Sequence, residues 1–248
     1  MEWSRYTTCL AVDAARLGEL IDGQMDLPLS SVPGWTAEDL AHHLAETYEH
    51  AAAVLRLGAE PDPWPPNRPP VSPLTRLRSA LGDLLAEFTG READAPAHTP
   101  FEEDRTVGFW ARRIGVETAV RRVDAERAVG AEVQPVPEDV ALGGVDEFLH
   151  FHYAWTANNS ENHAQATADG SGRPVVILTG DREFTVRTLP GRVTVTDGDT
   201  EDAAARVWGE PSAVLLWLWG RGDASAFTVE GEESEVTRLH RTFASFAR

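Results

Sequence analysis

Apolar residues recur every three or four positions through the first part of the chain, the period of an amphipathic helix, and then give way to alternation. Trp3, Tyr6, Leu10, Leu17, Leu20 and Ile21 form the first stripe, which ends near Gly23. Thr36 stands where an N-cap belongs. The acidic pair Glu38 and Asp39 suits the positive end of the helix it would start, which runs to about Leu57. The proline-rich stretch 61–73 breaks the pattern, because proline lacks the backbone donor that a helix needs. Leu74, Leu77, Leu81, Leu84, Leu85 and Phe88 mark a third helix, residues 104–128 a fourth, and 137–153 a shorter one that completes a bundle.

Beyond residue 158 the period changes to short alternating or β-branched stretches at 163–168, 175–179, 184–189 and 193–196. The turn pairs Asp169-Gly170, Gly180-Asp181, Pro190-Gly191 and Asp197-Gly198 follow them and favour an antiparallel meander. Helices at 211–219 and 232–246 flank a strand at 226–230. A run of helices followed by a run of strands predicts an α+β chain of two domains, a helical bundle over 1–157 and a small α+β domain over 158–248.

Composition narrows the function classes. The 248 residues are 42% hydrophobic and 25% charged, an ordinary globular balance. All 22 basic residues are arginine, and the net charge of -18 argues against nucleic acid, whose backbone is bound by basic patches. Cys9 is the only cysteine and falls on an apolar helical face, so it predicts an inert core residue and rules out a disulfide or a cysteine metal site. Glu2, Arg5, Asp13 and Arg16 leave no apolar signal core, and the apolar run 213–219 is far below the roughly 20 residues of a membrane span. The expectation is a cytoplasmic protein with no membrane partner.

The candidate chemistry lies in two helical segments. The first runs from Val32 through Pro33, Gly34, Trp35 and Asp39-Leu40 to His42-His43-Leu44. The second runs from Phe109 to Asp124 and contains Glu117 and Arg121. His43 should face the bundle interior, with His42 about 100° away and turned to solvent. Glu117 lies among Ile114, Val116, Val120 and Val123, where an unpaired carboxylate would be costly. Arg121, four residues on, is placed to pair with it or to point outward.

Together these segments resemble the mycothiol-dependent maleylpyruvate isomerase family, actinobacterial relatives of the DinB-type bundles. The resemblance implies a DinB-like four-helix bundle followed by an SCP2-like α+β domain. It also implies a divalent metal, zinc in the family, held by two His and one Glu, and the small-molecule thiol mycothiol, which the metal activates as thiolate. The metal positions fall on His43, Glu117 and residue 121. Arginine has no lone pair to give a metal, so here two ligands remain. Glu46 and His50 lie near the face of His43 and are the candidates for a replacement ligand. The resemblance further implies catalytic roles for Asp124, which could equally pair with Arg127 or Arg113, and for Arg221 at the end of Leu216-Trp217-Leu218-Trp219-Gly220. The implied partner is a small thiol or an anionic small substrate. Two readings stay open, a mycothiol-dependent isomerase or S-transferase with a degraded metal site, and a non-enzymatic binder of a small ligand.

Overall fold

Helix α2 (Ala37–Leu57) begins at the cap that the sequence predicts. Thr36 Oγ1 accepts the Asp39 N–H at 3.3 Å, and Asp39 Oδ2 accepts the Thr36 N–H at 2.8 Å, a reciprocal box that satisfies two otherwise orphaned donors. Gly58, at φ +67°, closes the helix in the left-handed region where glycine is favoured. The computed structural model describes residues 3–160, 165–222 and 224–247, and the chain divides into the units 1–134 and 135–248.

In the first unit α1 (Ser4–Ile21) lies against α3 (Pro73–Phe88) and α4 (Val107–Ala128), and α2 lies against the same two, so the four helices close a ring. Helix α4 is the one buried on nearly every side. That burial extends to Glu117, Arg121, Arg122, Asp124 and Glu126, which the core accepts because they are paired. Arg122 shows the principle: Nε donates to Asp13 Oδ1 at 3.0 Å, and Nη1 donates to Glu126 Oε2 and to the Gln134 carbonyl, each at 2.7 Å. At Gly115 a Cβ would lie 3.1 Å from the Tyr6 carbonyl oxygen, so any larger residue there would require the α1 backbone to give by a few tenths of an ångström.

In the second unit α5 (Glu138–Glu147) continues without a break into a π-helical segment, Phe148–Trp155, and a last turn, α6 (Thr156–Asn159). The sequence reading put this helix in the bundle and the boundary after 157. The division at 134/135 instead assigns it to the second unit, where it packs on β3 (Arg192–Asp197) and α7 (Pro211–Leu218). The cause is aromatic: Phe148 lies 5.6 Å from Trp219 and 5.5 Å from Phe243, and Tyr153 lies 4.8 Å from Phe243 and 5.1 Å from Phe246. Helical periodicity marks a buried face without saying which core buries it.

The sheet has the order β3-β2-β1-β4-β5, with β1 (Val175–Thr179), β2 (Arg182–Leu189), β4 (Ala205–Trp208) and β5 (Thr228–Gly231). Strands β1 to β3 form the expected meander. Strand β4, which the sequence reading lacked, inserts parallel to β1, with Ile177 opposite Val207. The expected strand at 163–168 is absent where it is described, since Gln165–Thr167 is a 3₁₀ turn; positions 163 and 164 lie outside the described residues. Helix α8 (Glu233–Phe243) packs on β1, β4 and α7. Asn158 borders the outer strand: its side-chain amide donates to the Val193 carbonyl at 2.8 Å and accepts the Val193 N–H at 2.9 Å. No helix among the described residues is long and apolar enough to cross a membrane.

Candidate functional site

Helices α2 and α4 bring His43 and Glu117 together across the bundle. His43 Nε2 lies 2.6 Å from Glu117 Oε1. With the carboxylate accepting, Nε2 carries the proton and Nδ1 is the basic nitrogen. The second carboxylate oxygen, Oε2, is held by Arg113 Nη2 at 2.7 Å. Arg121 completes the group from one turn further along α4. Its Nη2 is 3.7 Å from Glu117 Oε1, its Nη1 donates to Asp124 Oδ2 at 3.3 Å, and its Cζ lies 5.5 Å from the Trp35 ring centroid. Trp35 also packs on His43, with ring centroids 5.0 Å apart. Arg121 is fully buried, and its Nε and Nη2 make no hydrogen bond among the described residues. The side chains of His43, 31% exposed, and Arg113, 18% exposed, reach solvent, whereas Glu117, Arg121 and Asp124 are closed off.

Several sequence expectations meet a different arrangement. His42 is the less exposed of the two histidines, at 17% of its side chain, because it is drawn between Glu38 and Arg76 at 3.7 and 3.5 Å. Glu46 and His50 are engaged elsewhere: Arg68 and Arg76 bind Glu46, and His50 lies 2.9 Å from Glu60 beside the rings of Trp64 and Trp110. Asp124 pairs with Arg121. Arg221 belongs to the second unit, where it is buried and its Nη1 donates to the carbonyls of Trp219 and Ala247, at 2.8 Å for the latter. Cys9 is buried. The sequence reading missed Arg113 as a partner of Glu117, although its position four residues before the carboxylate was the available signal.

A second cluster was also missed. Asp146, His150 and Asp197 bring three potential ligand atoms within 4.8 Å of one another. Asp146 Oδ1 there already accepts from Arg182 Nη2 at 3.0 Å, and Asp197 is exposed. The spacing of Asp146 and His150 along one helix was legible. Their approach to the end of β3 depended on the fold.

Burial raises the pKa of Glu117, but the charge of Arg113, the hydrogen bond and charge of His43 and the charge of Arg121 together outweigh it and hold the carboxyl well below the usual range. A depressed folded-state pKa gives a stability contribution that is present above the unfolded value, about 4.3, and is lost as pH falls toward the folded one. The urea midpoint of the wild type should therefore decline on acidification below about pH 5. In Glu117→Gln that part of the pH dependence should flatten, and an unchanged slope would remove Glu117 from the acid response.

Residues 8–126 match the family model described as the mycothiol maleylpyruvate isomerase N-terminal domain. Among solved structures, the chain resembles the mycothiol-dependent maleylpyruvate isomerase with 16% identity and a TM-score of 0.60, covering 94% of this chain and 95% of that one. A point mutant of that enzyme matches over the same shares with 16% identity and a TM-score of 0.58. At this identity the likeness is one of fold, and it spans the α+β two-domain arrangement. No curated protein matches the sequence significantly.

Proposed function

The chain belongs to the mycothiol-dependent maleylpyruvate isomerase family, and from that premise we propose a thiol-dependent isomerase or S-transferase in which His43 and Glu117 act as a base and its orienting carboxylate while Arg121 replaces the charge of a metal. The observation that carries this reading is the 2.6 Å contact between His43 Nε2 and Glu117 Oε1. Nucleophile activation by a base that a third group orients is a general device. A free thiol with a pKa of about 8.5 is a weak nucleophile at neutral pH. His43 Nδ1 can take its proton, Glu117 stabilises the imidazolium that results, and Trp35 holds the ring in place.

The donor set argues against a divalent ion. The two remaining ligand atoms are bonded to each other, the other oxygen of Glu117 is held by Arg113, and Arg121 adds a second guanidinium within 4 Å of the same carboxylate. A metal would have to break the His43 contact and sit beside two fixed positive charges, with no third ligand from residue 121.

The test is an isomerase and transferase assay with mycothiol, paired with elemental analysis of protein purified without chelator. The expected outcome is well under one equivalent of zinc, activity unaffected by EDTA, and a loss of about 10²-fold or more in His43→Ala, the scale of general base catalysis. Stoichiometric zinc with chelator-sensitive turnover would return the protein to metal-dependent chemistry. The second reading, a non-enzymatic binder of a small ligand, is favoured by one observation: the guanidinium of Arg221 is spent on backbone carbonyls of its own unit. Saturable mycothiol binding without turnover would select it.

A further inference from the structure

A different site lies wholly within the second unit, where the π-helical segment packs on β3. Asp146 and His150 stand four residues apart on one continuous helix and so share a face. Asp197, the last residue of β3, meets them there, and one ligand atom from each of the three lies within 4.8 Å of the others. The strand register accounts for this meeting. Asp197 is the cross-strand partner of Phe184, so both side chains stand on the same side of the sheet, and Arg182, two residues before Phe184, shares it. Fully buried Phe184 then holds two neighbours in place, with the His150 ring centroid 6.2 Å from its own and Arg182 Cζ at 5.2 Å. Arg182 Nη2 donates to Asp146 Oδ1 at 3.0 Å, which orients that carboxylate and leaves Oδ2 to another partner.

We propose that Asp146, His150 and Asp197 bind an exchangeable divalent transition-metal ion of the zinc type. Two observations carry this beyond a group of nearby acids. His150 Nε2 lies 3.8 Å from Asp197 Oδ1, too long for a hydrogen bond. It is close to the spacing of about 3.3–3.6 Å between two tetrahedral ligands held at about 2.0–2.2 Å from one ion. The Asp146 carboxylate is also hydrogen-bonded on its other oxygen, the support that metal-binding carboxylates usually have. One imidazole with two carboxylates suits zinc or cobalt(II), and a water completes four ligands. Calcium and magnesium would each ask for more oxygen donors than these residues supply. Asp197 is 72% exposed, so the ion exchanges with solvent and leaves on gel filtration, which keeps this site separate from the metal content of the purified protein.

Isothermal titration calorimetry of the full chain, stripped with EDTA and desalted, with zinc chloride tests the assignment. Saturable one-to-one binding is expected. His150→Ala and Asp197→Ala should each raise Kd about tenfold or more, because losing even a group that hydrogen-bonds a ligand costs about 10–100-fold in metal affinity. Asp197 is mostly solvated, so its replacement leaves the fold intact and keeps the test decisive if His150→Ala packs poorly. His43→Ala, in the other unit, should leave Kd unchanged, which separates this site from the bundle cluster. Absence of saturable binding, an unchanged Kd in Asp197→Ala or in a folded His150→Ala, an equal loss in His43→Ala, or equally tight binding of magnesium chloride would each overturn the proposal.

Discussion

Truncating Glu117 to alanine is expected to cost about 3–5 kcal/mol of folding stability, the range seen when one partner of a buried ion pair is removed. The carboxylate has 3% exposure and is approached by His43, Arg113 and Arg121 at 2.6, 2.7 and 3.7 Å. Without it Arg121, fully buried, keeps Asp124 as its charged partner, and two of its nitrogens already lack a hydrogen bond. Urea unfolding with an unchanged m-value reads the effect. Removing both sides should be much milder. Glu117→Leu/Arg121→Met leaves less uncompensated charge, so the double variant should recover a large part of the single loss. A single-variant loss below about 1 kcal/mol would mean that the guanidiniums do not depend on this carboxylate.

Arg121→His should convert a protein holding well under one equivalent of zinc into one holding about one equivalent. The change removes a like charge from the ion's neighbourhood and adds the third donor, giving two imidazoles and one carboxylate with metal bonds of about 2.0–2.2 Å. The change deletes Nε and Nη2, which are buried without hydrogen bonds, and also the Nη1 bond to Asp124, so some loss of stability accompanies the gain of metal. Arg113 would still hold Glu117 Oε2, leaving Oε1 and His43 Nε2 to turn from each other toward the ion. Elemental analysis after gel filtration reads the result. If the variant purifies as free of zinc as the wild type, residue 121 is not what governs metal binding.

The bundle was legible because its signals are local. Thr36 with Asp39 three residues on gives a cap, and leucines at helical spacing give α3, whatever the rest of the chain does. His43 opposite Glu117 was legible through the family resemblance and the apolar helix faces that carry them, and the approach of Arg121 through its i+4 position. What stayed hidden required knowing which core claims a segment. The helix from Glu138 has the same period as its predecessors, and only the ring contacts of Phe148 and Tyr153 with Phe243 reveal its unit. Strand β4 is four residues long, too short for its alternation of Ala205, Arg206, Val207 and Trp208 to stand out, and it exists because β1 offers a neighbour. Arg113 precedes Glu117 by four residues, and a cation before a carboxylate is the weaker order in an isolated helix. In the buried setting of α4, distance to the charge overrides that preference.

The amide clamp of Asn158 on Val193 bears on how this protein can associate. An exposed outer strand is a template on which any extended peptide can grow the sheet. At Val193 both outward backbone groups are already taken by a side chain of the same unit. At the opposite margin β5 spans four residues and carries Glu230 beside Gly231 at φ +91°, a short, charged border that ends in a bend. Strand exchange and fibril-like stacking therefore meet resistance at the Val193 end of β3 and along the short border of β5.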